Sequence, residues 1–162
     1  SQHAVSQLAE GGRKRIAMIN HDLSYKYARL RERGYKSVIH LKDLAYQAVE
    51  YASDLSSRAG MAAMQNLLKE NPPDAVFAVS DTLAAGALRA IQQAGLRVPE
   101  DIAVVGFDGT ELADMISLTT IEQPSRNIGR KAVDLLLNKI DNPDAPTERV
   151  MMDWRFISRA ST

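Results

Sequence analysis

Three short apolar runs each end on residues that can do chemistry. IAVVGF (residues 102–107) runs into Asp108, AVFAV (75–79) into Ser80–Asp81, and RKRIAMI (13–19) into Asn20–His21. A carboxylate at such an end can accept hydrogen bonds from two adjacent hydroxyls or from an amine. Asp108 also starts an Asp–Gly turn pair, where it could simply bond its own backbone. Arg31, within LRERG, can clamp a sugar oxygen or a carboxylate through its planar fork. With Arg29 and Arg33 it can equally be part of a solvated basic helix face. Asp81 reads first as a helix N-cap, a role compatible with stiffening the loop that carries Ser80. By type and spacing alone, Leu55 is a wall or core residue. Tyr25, Tyr27 and Tyr35 read as packing residues, and Trp154 as core or interface packing.

None of these residues assembles into a catalytic set. Glu111 and Asp114 share one helix side, but nothing supplies a nucleophile, and acidic residues in a first turn are expected from the helix dipole. The sequence has no GxGxxG, no GxxxxGK[ST], no GxSxG and no HExxH. His3, His21 and His40 lack ligand-like spacing, and there is no cysteine. The expectation is binding rather than turnover, with no metal and no cofactor.

The elements that must position these residues follow from the apolar pattern. With 162 residues, 45% of them apolar, the chain can bury one real core. Twenty basic and twenty acidic residues leave a formal net charge of zero, so bulk charge gives no support for a dominant nucleic-acid face. No apolar run approaches the roughly 20 residues that span a bilayer, and no secretory leader opens the chain. A cytoplasmic protein without membrane contact is expected.

Ala4, Val5 and Leu8 mark a first helix that Gly11–Gly12 can close. Residues 24–42 read as a second helix, weakened at Gly34 by about 1 kcal/mol relative to Ala. YQAVEYA (46–52) reads as a short strand, and 58–69 as a helix capped by Ser56 or Ser57. Another helix follows Asp81 and ends at Gly95. A short one passes Leu112 and Met115, and LTTI (118–121) is β-branched. Ser125 is expected to cap helix 126–140, whose stripe is Ile128, Ala132, Leu135, Leu136 and Ile140. The tail has material for one or two strands near Trp154.

Short nonalternating strands separated by helices imply an α/β fold: a three-layer αβα arrangement with a mostly parallel sheet. Right-handed crossovers would bring all strand C-termini to one edge, where His21, Ser80 or Asp81, and Asp108 would meet. Small ligands bind at such a rim.

The runs GGRKRIAMI, DAVFAVSDTLAAGALRAIQQAGLRVPEDIAVVGFDGTELAD and LTTIEQPSRNIGRKAVDLLL, with the terminal ISRAST, together resemble LacI/GalR-family transcriptional repressors. The resemblance is to the C-terminal part of the effector-binding, periplasmic-binding-protein-like type I domain. It spans nearly the whole chain and is weakest between Val38 and Ser53. It implies a two-lobed domain that binds a small effector, often a sugar or nucleobase derivative, in a homodimer. Operator DNA would be bound only through an N-terminal helix-turn-helix headpiece outside this chain. Family effector contacts fall on Arg31, Leu55, Ser80 and Asp108. Leu55 stands where an aromatic wall often lies and Ser80 where an Asn is common, which implies a ligand smaller or differently seated than a stacked pyranose.

The resemblance also implies a division of the chain. Residues 1–122 would form the C-terminal lobe. Residues 123–145 would be a crossover and helix belonging to the other lobe, and residues 146–162 a returning tail. The stripe of helix 126–140 must then be buried elsewhere, by this lobe, a swapped neighbour or self-association, so a dimer or higher oligomer is expected. A periplasmic sugar-binding protein and, further off, a sugar-processing enzyme are the competing readings. The first needs a secretory leader and the second an acid, base or metal.

Overall fold

The computed structural model describes residues 1–162, apart from the side chain of Glu70. The chain runs α1 (Gln2–Glu10), β1 (Ile16–Asn20), α2 (Lys26–Leu41), β2 (Ala48–Tyr51), α3 (Ser57–Glu70), β3 (Ala75–Ala78) and α4 (Asp81–Gln93). It continues through β4 (Ala103–Asp108), α5 (Glu111–Met115), β5 (Thr119–Glu122), α6 (Ser125–Asp141) and β6 (Arg155–Ile157). The sheet has the order β2-β1-β3-β4-β5-β6. All neighbours are parallel except β6, which runs antiparallel to β5. The three-layer, mostly parallel α/β architecture is therefore present.

Its cause lies in the strands. Every residue of β1 and β3 is buried, as are Ala103–Gly106 of β4. Strands without a polar face need cover on both sides. α1 and α2 pack together on one face and α3 and α4 on the other. Tyr35, Phe77, Met18, Ile19, Leu83 and Ile91 fill the core. The one polar atom that Tyr35 brings inside is satisfied, because its hydroxyl donates to the Ile16 carbonyl at 2.7 Å.

Three local expectations need correction. The N-cap of α4 is Ser80, whose Oγ accepts from the Leu83 N–H at 3.2 Å, while Asp81 is the first helical residue. Helix α6 starts after Pro124, and Ser125 makes no capping bond. Gly34 is not a weak point in α2. A Cβ there would run into Ser1 and Gln2, so the glycine lets α2 approach the start of α1.

The tail forms one strand, β6, and then inserts beside β4 and β5. Ser161 donates through Oγ to the Val104 carbonyl at 2.7 Å and accepts from the Thr119 N–H at 2.8 Å. Helix α6 behaves differently. Among the described residues it buries none, and Ile128, Leu136 and Ile140 stand 44%, 61% and 63% exposed. Its stripe is thus not covered by this lobe. Among the described residues, no helix is long and apolar enough to cross a membrane.

Candidate functional site

The strand order places a topological switch point between β1 and β3. From β1 the chain moves outward through α2 to β2, then returns through α3 to β3. Helices leave the two strands on opposite faces, which opens a crevice beyond their C-terminal ends. Along that edge stand Leu55 after β2, His21 after β1, Ser80 after β3, Asp108 ending β4 and Gln123 after β5.

Arg31 reaches into this crevice from α2. Its Nη1 donates to the Val79 carbonyl, and its Nη2 stands 3.6 Å from Asp108 Oδ1. The guanidinium carbon sits 3.7 Å above the centre of the Phe107 ring and 5.1 Å from that of Tyr27. The side chain is only 15% exposed. Burial pulls its pKa below the ordinary value, and the Asp108 carboxylate pushes back. Arg31 is thus a held cation with N–H donors to spare rather than part of a solvated basic face.

Asp108 adopts φ = 118°, a region that a non-glycine residue rarely enters. Its Oδ1 accepts from Gln123 Nε2 at 2.8 Å. Burial raises the carboxyl above its ordinary value, against the opposing pull of Arg31. Among the described residues, only Oδ1 of this carboxylate has partners. A turn residue bonding its own backbone would not show these contacts.

The loop between them is stiffened by Asp81. Its fully buried carboxylate accepts from the Thr110 N–H at 2.7 Å, Thr110 Oγ1 at 2.9 Å and Thr120 Oγ1 at 2.6 Å. A Cβ on Gly106 would overlap that carboxylate. Ser80 is 6% exposed, and its oxygen caps α4. Its hydroxyl proton remains a possible donor to the crevice.

His21, Tyr25 and Tyr27 form a cluster on the β1 side. His21 Nδ1 lies 2.9 Å from the Tyr27 hydroxyl, and the two rings stack at 6.3 Å with 7° between their planes. Tyr25 lies 5.1 Å from His21 and is half exposed. Of the three tyrosines read as packing residues, only Tyr35 is core. Below the cluster, Glu32 accepts from Asn20 Nδ2 at 2.9 Å and the Tyr51 hydroxyl at 3.0 Å, and pairs with Lys36 at 2.6 Å. Burial alone would raise the Glu32 pKa, but these three partners outweigh it and hold the pKa low. Nothing in the sequence marked Glu32 or Gln123, since each is a polar residue whose meaning comes from a distant partner.

Leu55 lies on the same edge but beyond β2. Two intervening strands separate β2 from β4, so the strand ends are roughly 15 Å apart. Its side chain is 45% exposed. The structure therefore brings Arg31, Ser80 and Asp108 together and leaves Leu55 at the far end of the rim. Trp154 lies outside the crevice, half exposed beside His3 at 5.2 Å. Among the described residues, no three His, Asp or Glu side chains gather to hold a metal ion. The crevice can present a cation, a carboxylate, hydroxyls and aromatic edges to a polar, hydroxylated ligand.

Comparison with known proteins accords with this geometry. The family model described as periplasmic binding protein-like domain matches residues 5–162. The ribose operon repressor of Haemophilus influenzae is 36% identical over 98% of this chain and 49% of its own length. The HTH-type transcriptional repressor CytR of Escherichia coli is 37% identical over 98% and 48%. A LacI family transcriptional regulator from Enterococcus faecium, solved with bound ribose, superimposes with a TM-score of 0.90 at 28% identity over 99% of this chain and 61% of that one. The chain spans about half the length of the curated relatives it matches. It belongs to the periplasmic binding protein-like domain family, within the group formed by the effector-binding domains of LacI-type regulators.

Proposed function

We propose that the chain is one wall of the effector cleft of a cytoplasmic transcriptional repressor. The effector is a small hydroxylated molecule, sugar-like or nucleoside-like, held by Arg31 and Asp108, with Ser80 donating beside them and Leu55 bordering the rim. The observation that carries this reading is the Arg31–Asp108 pair beside the switch point of the sheet. Asp108 has an oxygen left for a ligand, and Arg31 has spare donors. The relatives' names, ribose operon repressor and transcriptional repressor, support this chemistry and setting.

The wall acts by binding, not by turnover. An effector can shift an open–closed equilibrium only through different affinities for the two states. Two charged groups in a half-buried crevice supply such a difference when a second lobe closes on them. In the whole protein, operator DNA is bound by a helix-turn-helix segment outside this chain, and two copies associate. Residues 1–122 and 146–162 form this lobe, while residues 123–145 carry α6 to the other one. The exposed apolar stripe of α6 supports that division.

The test is calorimetric titration of the full-length protein with D-ribose, hexoses and nucleosides. One of these classes is expected to bind. Asp108→Ala should weaken that binding about 10- to 100-fold, the loss of hydrogen bonds to a charged acceptor, while operator affinity is unchanged. Undiminished binding by Asp108→Ala rejects the reading.

A further inference from the structure

Gln123 is tied to Asp108 twice. Its main-chain N–H donates to the Asp108 carbonyl at 3.2 Å, and its carboxamide donates to Oδ1 at 2.8 Å. Its own carbonyl accepts from the Ser125 N–H at 2.8 Å and from Ser125 Oγ at 3.4 Å, at the first residue of α6. One residue thus connects the site carboxylate to the start of α6. The preceding residue, Glu122, takes Arg155 Nε at 2.7 Å, so the chain returning from α6 is fastened to the same strand end. Because α6 buries nothing among the described residues, this junction rather than packing along the helix sets its direction.

The main chain here has little room to adjust. Asp108 is held at φ = 118°, and a Cβ on Gly109 would lie 2.5 Å from the Glu122 Cα. What can move is side chains. Oδ1 already accepts one hydrogen bond, from Gln123 Nε2 at 2.8 Å, while the Arg31 Nη2 cation stands at 3.6 Å, beyond hydrogen-bond distance. A ligand with adjacent hydroxyls that spans both carboxylate oxygens competes for Oδ1 with the Gln123 carboxamide. Arg31 is held independently by the Val79 carbonyl and by two aromatic rings. The Gln123 carboxamide has no other hold among the described residues.

We propose that Gln123 is a positioning residue that acts as a latch. In the empty site its carboxamide orients Asp108 and fastens the junction to α6. A ligand that takes Oδ1 displaces the carboxamide and loosens that junction. The displacement step rests on the reading of Asp108 as the ligand carboxylate, whereas the hold in the empty site does not.

The test is amide hydrogen exchange, reported as protection factors at Gln123, Ser125 and Ile128. In the ligand-free chain, Gln123→Met keeps the volume and removes the donor, and should lower protection at these amides about tenfold, the scale of one hydrogen bond. Amides of β4 and α4 should be unchanged. Gln123→Glu should be nearly wild-type at acidic pH, where a shared proton restores the bond, and should lose protection at neutral pH, where two carboxylates face each other beside Arg31. Wild-type protection in Gln123→Met, or the same behaviour of both variants at every pH, overturns the latch. In the full-length protein, D-ribose that binds with measurable heat should lower protection at the same three amides. Binding heat with unchanged protection overturns the displacement step. Absence of heat tells against a pentose effector, and the ligand-free comparison alone then decides the latch.

Discussion

The guanidinium carbon of Arg31 sits 3.7 Å above the Phe107 ring, one residue before its ionic partner Asp108 in β4. Strand β4 therefore supplies both the platform and the counter-charge for the cation. A cation over an aromatic face in a largely desolvated place is stabilised by up to about 2 kcal/mol. A double-mutant cycle of Phe107→Leu and Arg31→Met, read by urea unfolding, should give a coupling energy of about 0.5–2 kcal/mol. Additivity within about 0.3 kcal/mol would show that the two side chains are merely adjacent.

Asp81 should be among the most sensitive positions in the lobe. Its buried carboxylate joins α4 to the start of α5 and to β5 through Thr110 and Thr120. Asp81→Ala leaves the buried Thr120 hydroxyl without its acceptor, at a cost of about 1–3 kcal/mol, and takes the same acceptor from the Thr110 N–H and hydroxyl, which water can reach. Loss of about 1–3 kcal/mol in urea unfolding is expected. Gly106→Ala should also destabilise, because its methyl group would occupy the space of the same carboxylate. If Gly106→Ala is neutral, Asp81 does not fill that space in solution.

Asp108 gives a pH dependence of defined sign. Its carboxyl is raised above the ordinary value by burial, with Arg31 opposing. A carboxyl raised in the folded state carries a penalty when ionised, absent at low pH. The penalty develops as the pH rises from the unfolded value towards the folded one, and is constant above it. Asp108→Asn should therefore gain stability relative to the wild type across that window, as followed by urea unfolding at a series of pH values. In a carboxyl-carbon NMR titration, Asp108 should titrate above an ordinary aspartate, and Arg31→Met should raise it further. A midpoint at or below the ordinary value contradicts the burial seen here.

Much of the framework was legible because it depends on local order. Runs such as AVFAV and IAVVGF lack a polar face, so they had to be central strands, and the strand–helix alternation put Ser80 and Asp108 on one edge. The cap of α4 was misplaced by one residue because Ser and Asp are both good caps. What decided between them was the pair Thr110 and Thr120, which engages Asp81 from 29 and 39 positions away. Gly34 is opaque for a similar reason, since the residues its Cβ would meet, Ser1 and Gln2, lie more than thirty positions back in the chain. Neither the aromatic layer of His21, Tyr25 and Tyr27 nor the Gln123 tie to Asp108 follows from spacing. Each needs a distance that only the folded backbone provides.

Helix α6 leads to the last prediction. Its apolar residues Ile128, Val133, Leu136, Leu137 and Ile140 are all more than two-fifths exposed, a contiguous apolar surface of the kind that monomeric proteins cover. If that stripe belongs against a second lobe, this chain alone must bury it by self-association. Light scattering should show a dimer or larger species whose proportion rises with concentration. Leu136→Lys combined with Ile140→Lys should shift the population to monomer and remove the dependence of the unfolding midpoint on protein concentration, because neither side chain is buried in this lobe. A monomeric wild-type chain at high concentration would mean that α6 folds back onto this lobe in solution. In that case the wild-type midpoint would not depend on concentration and the double substitution would lower it at every concentration, so the two measurements together decide where the helix packs.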